Sequence, residues 1–432
     1  MSNQSINIGI LGLGTVGRAV LDLLQSNAKI IADRAGAKIK VVAVCDVAAK
    51  ASSINGVPVY KNAEKIISNP KIDIVVEAIG GTKPALEYIL RAISNKKHIV
   101  TSNKEVIAKH MPQIYSAAQK NGVVVLCEAA VAGGIPILNS IRDNLAANHI
   151  TEIYGIVNGT TNYILYNMTE HGVGFKDALK AAQKQGFAEA NPSADIDGYD
   201  AMYKAVILAA VAFGTYVNYK KVSREGIARI SQEDIQYAKE SGYAIKLIAT
   251  VRRVGSRIDV RVHPVMVPKD HPLAKVSENY NAIFVKSDFA GDVMFYGQGA
   301  GGKPTASSVV ADIINIAQAN CCVDDCCGEA CDCEQATSGP KAHLLDIGQI
   351  ESRYYINLKV PDRSGVLAEI SRVFARHQVS IQAVSQPETN RAVATLIIVT
   401  HLVRHANLQS TLRDLKKLSV VKTISNVVRV GL

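Results

Sequence analysis

Four carboxylates and a lysine crowd one stretch of the chain, and that is where proton chemistry could be done. Residues 186–204 read GFAEANPSADIDGYDAMYK, so Glu189, Asp195, Asp197 and Asp200 precede Lys204. After Gly198 the pattern turns helical. Ala201, Met202, Ala205, Val206, Ile207, Leu208 and Ala209 leave almost no polar face, which predicts a helix buried on nearly all sides. Burying an ammonium is costly unless it is paired. Asp200 stands four residues earlier, one turn up the same face, and is the natural partner. Three readings follow from these residue types. The pair can be a structural ion pair, or the acids can be an N-terminal cluster favoured by the helix dipole. The third is a polar pocket where carboxylates orient a substrate ammonium or hydroxyl while the lysine moves a proton.

Elements upstream must position such a pocket. Residues 6–20, INIGILGLGTVGRAV, read as an apolar strand, three glycines and a helix. Gly12 suits a tight turn, Gly14 a close backbone approach to a pyrophosphate, and Gly17 tight packing of helix on strand. Thr15 and Val16 open the helix, whose free N–H groups would meet the phosphates. Because this pattern follows a strand and opens a helix, it predicts a dinucleotide site. A second strand ends at Asp46, suited to the ribose hydroxyls of NAD, whereas Lys50 would suit a 2′-phosphate. Cofactor choice stays open between NAD and NADP.

Further strand–helix alternation runs through DIVVEAIG, HIVTSN and VVVLCEA, as a parallel sheet covered on both faces requires. Lys104 lies at the carboxyl end of one such strand, as a cofactor-side residue or an ordinary loop lysine. EAAVAGGIPIL (128–138) is read as a turn, although inward carbonyls at such a bend could hold a hard cation. NGTTN (158–162) ends a strand and opens a helix, with Thr160 and Asn162 as candidate caps. Strands are expected around 242–267 and 282–296, followed by a second glycine-rich loop, GQGAGGKPTAS.

Composition narrows the function classes. With 432 residues, 48% of them hydrophobic and 20% charged, the chain reads as a globular protein of two or three domains. No apolar run reaches the ~20 residues of a membrane span. No secretory signal is evident, so a cytoplasmic location is expected. The net charge of +10 is scattered and aromatics make up 5% with no Trp, which argues against nucleic acid. Cys45 and Cys127 fall in apolar runs and are expected to be core thiols.

In their order, GLGTVG, SNKE, EAAVAGGIP, NGTTNYIL, GFAEANPSADIDGYDAMYK and GQGAGGKPTAS resemble the homoserine dehydrogenases over about residues 5–320. That resemblance implies an NAD(P)-dependent enzyme interconverting homoserine and aspartate 4-semialdehyde, with Lys204 as proton donor and Lys104 beside the nicotinamide. It implies Glu189 and Asp200 as substrate-binding carboxylates, and Gly186 and Gly301 as cofactor contacts. It also implies a sodium ion held by main-chain oxygens of Glu128, Val131, Gly133 and Ile135. Where many relatives carry Asp, this chain has Asn191. The implied fold class is α/β: a Rossmann-type nucleotide-binding domain (1–130) and an α+β catalytic and dimerisation domain (131–320), whose final helix can return to the first. A semialdehyde dehydrogenase would instead need a nucleophilic Cys, for which only Cys127 offers itself. A non-catalytic amino-acid sensor would not need both lysines.

From about 351 the order strand, helix, strand, strand, helix, strand resembles an ACT domain, a small βαββαβ module. Asp362–Gly365 are read as a turn with a capping residue before its first helix. The resemblance implies an amino-acid effector, threonine, near Gly365, and a homodimer or homotetramer; a purely oligomerising module is the plainer alternative. The linker 321–350 holds CCVDDCCGEACDC. Thiols this dense bind soft metals, but the spacing is no zinc-finger pattern, and a tolerated insertion is the simpler reading.

Overall fold

The structure, a computed structural model, describes residues 5–321, 343–387 and 393–432. The cysteine run from Cys322 onward falls outside the described residues.

Alternating apolar strands and helices build a first sheet. Its strands are β1 (Ser5–Leu11), β2 (Lys38–Cys45), β3 (Ser53–Ile54), β4 (Val57–Tyr60), β5 (Ile74–Glu77), β6 (His98–Thr101) and β7 (Val125–Leu126). Their order is β3-β4-β2-β1-β5-β6-β7, parallel except for the β3–β4 pair. Helices α1 (Thr15–Ser26) and α2 (Ala28–Ala35) cover one face. The other is covered by α3 (Glu64–Ile67), α4 (Ala85–Ser94) and α5 (Lys104–Asn121). The segment after the first helix forms a second helix, because Ile31 and Ala35 find apolar neighbours one turn apart.

After β7 the chain makes a single helical turn at Glu128–Ala130 and a short α6 (Ile137–Asn139). The catalytic half then follows. It comprises β8 (Ile150–Ile156), α7 (Gly159–His171), α8 (Phe175–Lys184), α9 (Ser193–Ile196), α10 (Tyr199–Phe213), β9 (Ser223–Arg224) and α11 (Gln232–Glu240). The hairpins β10 (Tyr243–Val254)/β11 (Arg257–Pro268) and β12 (Tyr280–Ser287)/β13 (Asp292–Gln298) complete it. Helix α12 (Gly302–Cys321) crosses back to the first sheet, where Val309, Val310 and Ile313 share a core with Ile8, Val20 and Leu21.

The C-terminal unit contributes β14 (His343–Leu344), β15 (Glu351–Pro361), helix Val366–Arg376, β16 (Ile381–Ser385), β17 (Val393–Thr400), β18 (Val403–Arg404), helix His405–Leu415 and β19 (Thr423–Val430). Gly365, the last residue of the expected turn, is the cap of its first helix at φ 89°, with no side-chain hydrogen bond to the helix end. A left-handed glycine makes the turn. Strand β19 pairs with β11 through Val265 and Met266. One sheet, β13-β12-β8-β10-β11-β19-β15-β17-β16, therefore runs from the catalytic half into the C-terminal unit.

Candidate active site

The buried helix begins where Gly198, at φ 79°, turns the chain from α9 into α10. Asp200 and Lys204 then lie one turn apart among apolar neighbours, each 7% exposed. The Lys204 ammonium donates to Asp200 Oδ2 at 2.7 Å and to the Val157 carbonyl, at the end of β8, at 2.6 Å. Next to Val157, Asn158 caps α7 by accepting the Thr161 N–H at 2.8 Å. Its amide nitrogen donates to Asp195 Oδ1 at 2.7 Å and Asp200 Oδ2 at 3.0 Å. Lys104, the first residue of α5, brings its ammonium to 3.1 Å from Asp200 Oδ1 and stays 42% exposed. One carboxylate is thus gripped from three separate elements.

These charges tune one another. Burial lowers the Lys204 pKa below that of an ordinary lysine; attraction to Asp200 opposes this and repulsion from Lys104 adds to it. Asp200 itself raises the Lys104 pKa. Burial pushes the Asp200 carboxyl up, but the two lysines and Asn158 outweigh it and hold the group ionised well below the usual range. Asp195 is raised by burial and by the Asp200 charge beside it. The arrangement is a fixed carboxylate flanked by a buried ammonium ready to give up its proton and a second ammonium open to solvent.

Not every residue singled out in the sequence joins this cluster. Glu189 is exposed, and among the described residues its carboxylate makes no hydrogen bond or ion pair. Gly186 is exposed at φ 76°. Asp197 offers its carbonyl, not its carboxylate, to Arg224. The helix cap is Asn158, not Thr160 or Asn162. Thr160 donates to the Phe187 carbonyl, and Asn162 is buried against carbonyls of 276–280. An Asn at a strand end just before a helix was the available signal for that cap.

The glycine loop lies on the same edge of the first sheet as Lys104. Gly12 has φ 99°, and a Cβ there would meet the Ala78 carbonyl oxygen at 2.6 Å. A Cβ on Gly17 would fall 1.9 Å from the Gly12 oxygen. At Gly14 a Cβ would meet nothing within 4 Å, and α1 has no side-chain cap. The first N–H groups of α1, at Thr15 and Val16, therefore face a space bare of side chains, which fits a pyrophosphate. Gly301, at φ 121°, brings the start of α12 against this loop, where a Cβ on Gly302 would lie 3.1 Å from the Thr15 oxygen. Asp46 accepts the Leu13 and Ala48 N–H groups at 2.7 and 2.8 Å, fixing the loop from below.

In the 128–138 turn, Ala132 and Gly133 are both left-handed at φ 54°. The Glu128 carboxylate accepts the Leu138 and Asn139 N–H groups at 2.9 and 2.6 Å. The carbonyls of Glu128, Gly133 and Ile135 each accept one hydrogen bond and keep a second lone pair; Val131 is fully buried beside them. With the buried Asp312 Oδ1 lacking a hydrogen-bond partner close by, the turn is a polar, oxygen-rich setting that suits a hard cation. Cys127 is fully buried and within 3.6 Å of the Tyr115 hydroxyl, so it offers no accessible nucleophile.

Comparison with known proteins identifies the family. Residues 136–314 fit the homoserine dehydrogenase family model, 12–128 its NAD-binding domain model and 354–420 the ACT domain model. The chain is 40% identical to a homoserine dehydrogenase of Neisseria gonorrhoeae, over 99% of this chain and 98% of the relative. It is 42% identical to one of Synechocystis, over 99% and 100%. Among solved structures, a homoserine dehydrogenase from Thiobacillus denitrificans superposes with a TM-score of 0.93 at 38% identity, covering 99% of each chain. A hyperthermophilic archaeal homoserine dehydrogenase in complex with NADPH superposes with a TM-score of 0.63 at 29% identity, covering 72% of this chain and 98% of that one. The chain belongs to the homoserine dehydrogenase family, NAD(P)-dependent oxidoreductases, and carries a C-terminal ACT domain.

Proposed function

We propose that Lys204 is the proton-transfer residue of a reversible interconversion of L-homoserine and L-aspartate 4-semialdehyde. The observation that carries this reading is the buried Lys204 ammonium on Asp200, with Lys104 on the other oxygen of the same carboxylate. A nicotinamide nucleotide bound along the glycine loop supplies or takes up the hydride. Gly12, Gly14, Thr15, Val16 and Gly17 hold its phosphates, with Gly186 and Gly301 as further contacts.

In the reducing direction negative charge develops on the substrate oxygen, which needs a positive charge and a proton nearby. Lys204 supplies both. Its lowered pKa makes the ammonium a stronger acid, and in oxidation the neutral amine takes the proton back. Asp200 keeps both lysines in place and balances their charge. Lys104 steadies the substrate oxygen on the cofactor side. Glu189 and Asp195 face the substrate ammonium; the free carboxylate of Glu189 supports that role.

Sodium held by the carbonyls of Glu128, Val131, Gly133 and Ile135 would brace the turn linking the two halves. Threonine acts at the ACT domain near Gly365, and the subunit assembles as a homodimer or homotetramer in the cytoplasm. The exposed Met294 and Tyr296 on the edge strand β13 support assembly. Asp46 and Lys50 pull nucleotide choice in opposite directions, NAD against NADP. The test is nicotinamide absorbance with homoserine and each nucleotide, with and without threonine. Turnover with one nucleotide, lowered by threonine, is expected; no turnover with either leaves a non-catalytic sensor.

A further inference from the structure

Away from the lysines, at the seam between catalytic half and ACT domain, lies a cavity of about 510 Å³. Its walls carry Arg224 and Arg229 from the catalytic half, Arg413 from helix His405–Leu415 and Lys416 just past its end, and Arg429 from β19. Only two carboxylates, Asp197 and Glu225, face these five cations.

The charge continues into the sheet behind. Val265 pairs with Arg429, and Arg429 with Tyr354, so these side chains share one face, together with His263 and Arg261 two and four residues back along β11. Arg261, His263 and Arg429 are 6%, 3% and 4% exposed. The buried acid at hand, Asp259, gives its Oδ2 to Arg252 at 3.0 Å and leaves Arg261 at 3.7 Å, too far for a hydrogen bond. Arg429 spends one nitrogen on Glu225, at 2.7 Å. Of the cavity's own residues, Arg429 Nε has no hydrogen-bond partner, and behind it neither do Arg261 Nε and Nη1. Buried donors of a charged group left without acceptors are costly, and a native fold retains them where something else supplies the acceptor.

We infer that this seam cavity binds a small metabolite bearing an oxyanion, a carboxylate or a phosphate, with Arg429 at its floor and Arg413 and Lys416 at its rim. Guanidinium groups suit both anions because their donors are planar and paired. The volume suits a small metabolite, and Ser425 and Gln409 add neutral hydrogen-bonding groups. Gly365 does not line this cavity, so the site is additional to the threonine site proposed above. It is also connected to the chemistry. Arg224 lies 3.4 Å over the Tyr199 ring and donates to the Asp197 carbonyl, three residues before Asp200.

The test is calorimetric titration of the full-length protein, saturated with nicotinamide nucleotide to fill the phosphate cradle, at constant ionic strength. Inorganic phosphate is the probe in one arm and acetate in the other. Saturable binding of at least one is expected, and the tighter arm names the anion. The double variant Arg413→Ala/Lys416→Ala, altered only at exposed positions, should bind about tenfold more weakly, as loss of a charge-assisted hydrogen bond implies. Arg429→Gln, checked for folding by circular dichroism, should lose binding while turning over homoserine. No saturable binding of either probe, or unchanged affinity in either variant, overturns the inference.

Discussion

Lys204→Met removes the proton donor while keeping a side chain of similar length in the apolar sleeve of α10. The Lys204 ammonium makes two hydrogen bonds, to Asp200 and the Val157 carbonyl. After the change Asp200 still accepts from Asn158 and pairs with Lys104, so the carboxylate is not stranded. The stability loss should therefore fall below the ~3–5 kcal/mol typical of halving a buried pair. Proton transfer has no such substitute. Loss of a positioned acid–base group costs about 10²–10⁴ in rate, which is ~3–5 kcal/mol on the barrier. Steady-state kcat in both directions, with nucleotide affinity from fluorescence titration, separates the two effects: kcat should collapse and nucleotide binding should persist. The pH profile adds a sign. Homoserine oxidation needs neutral Lys204, so its rate should rise with pH through a pKa below that of ordinary lysine. That limb should vanish in the variant. A variant kcat within tenfold of the parent, or an unchanged pH limb, would refute Lys204 as the proton carrier.

Other substitutions separate fold from site. Gly17→Ala places a Cβ 1.9 Å from the Gly12 oxygen, so thermal melts should show a loss of about 1–3 kcal/mol. Gly14→Ala, with open space around it, should melt like the parent yet bind nucleotide poorly in fluorescence titration. Asn158→Ala removes a helix cap worth about 0.5–2 kcal/mol and the bridge between Asp195 and Asp200; denaturant melts and homoserine KM should both worsen. Lys246, buried on β10 against the Asn162 side-chain oxygen at 3.0 Å, has its pKa pulled down to about 8 by burial. The folded form resists protonation there, so stability should rise by about 3 kcal/mol between pH 8 and the unfolded pKa near 10.5. Urea melts across that range should lose this rise in Lys246→Met.

Much of the site was legible where spacing along the chain is enough. Glycines between a strand and a helix can be assigned from local conformational needs, and Lys204 and Asp200 at i and i+4 must meet once the segment is helical. The apolar surround of α10 was equally plain, because a sequence with no polar face has nowhere else to go. The cap of α7 was misplaced by a few residues, since NGTTN offers several side chains able to accept an N–H, and only the strand end chooses among them.

By itself the sequence determined the α/β nucleotide-binding unit, the buried lysine–carboxylate pair and the strand–helix order of the C-terminal unit, all set by periodicity and close spacing. Tertiary structure decided what depends on distant elements meeting. It brought Lys104 of α5 onto the carboxylate of α10, 96 positions away along the chain. It made burial outweigh attraction at Lys204, and joined β19 to β11 so that Arg429 lines one cavity with Arg224, Arg229 and Arg413. Burial and long-range charge are properties of the packed chain, and no local pattern encodes their balance.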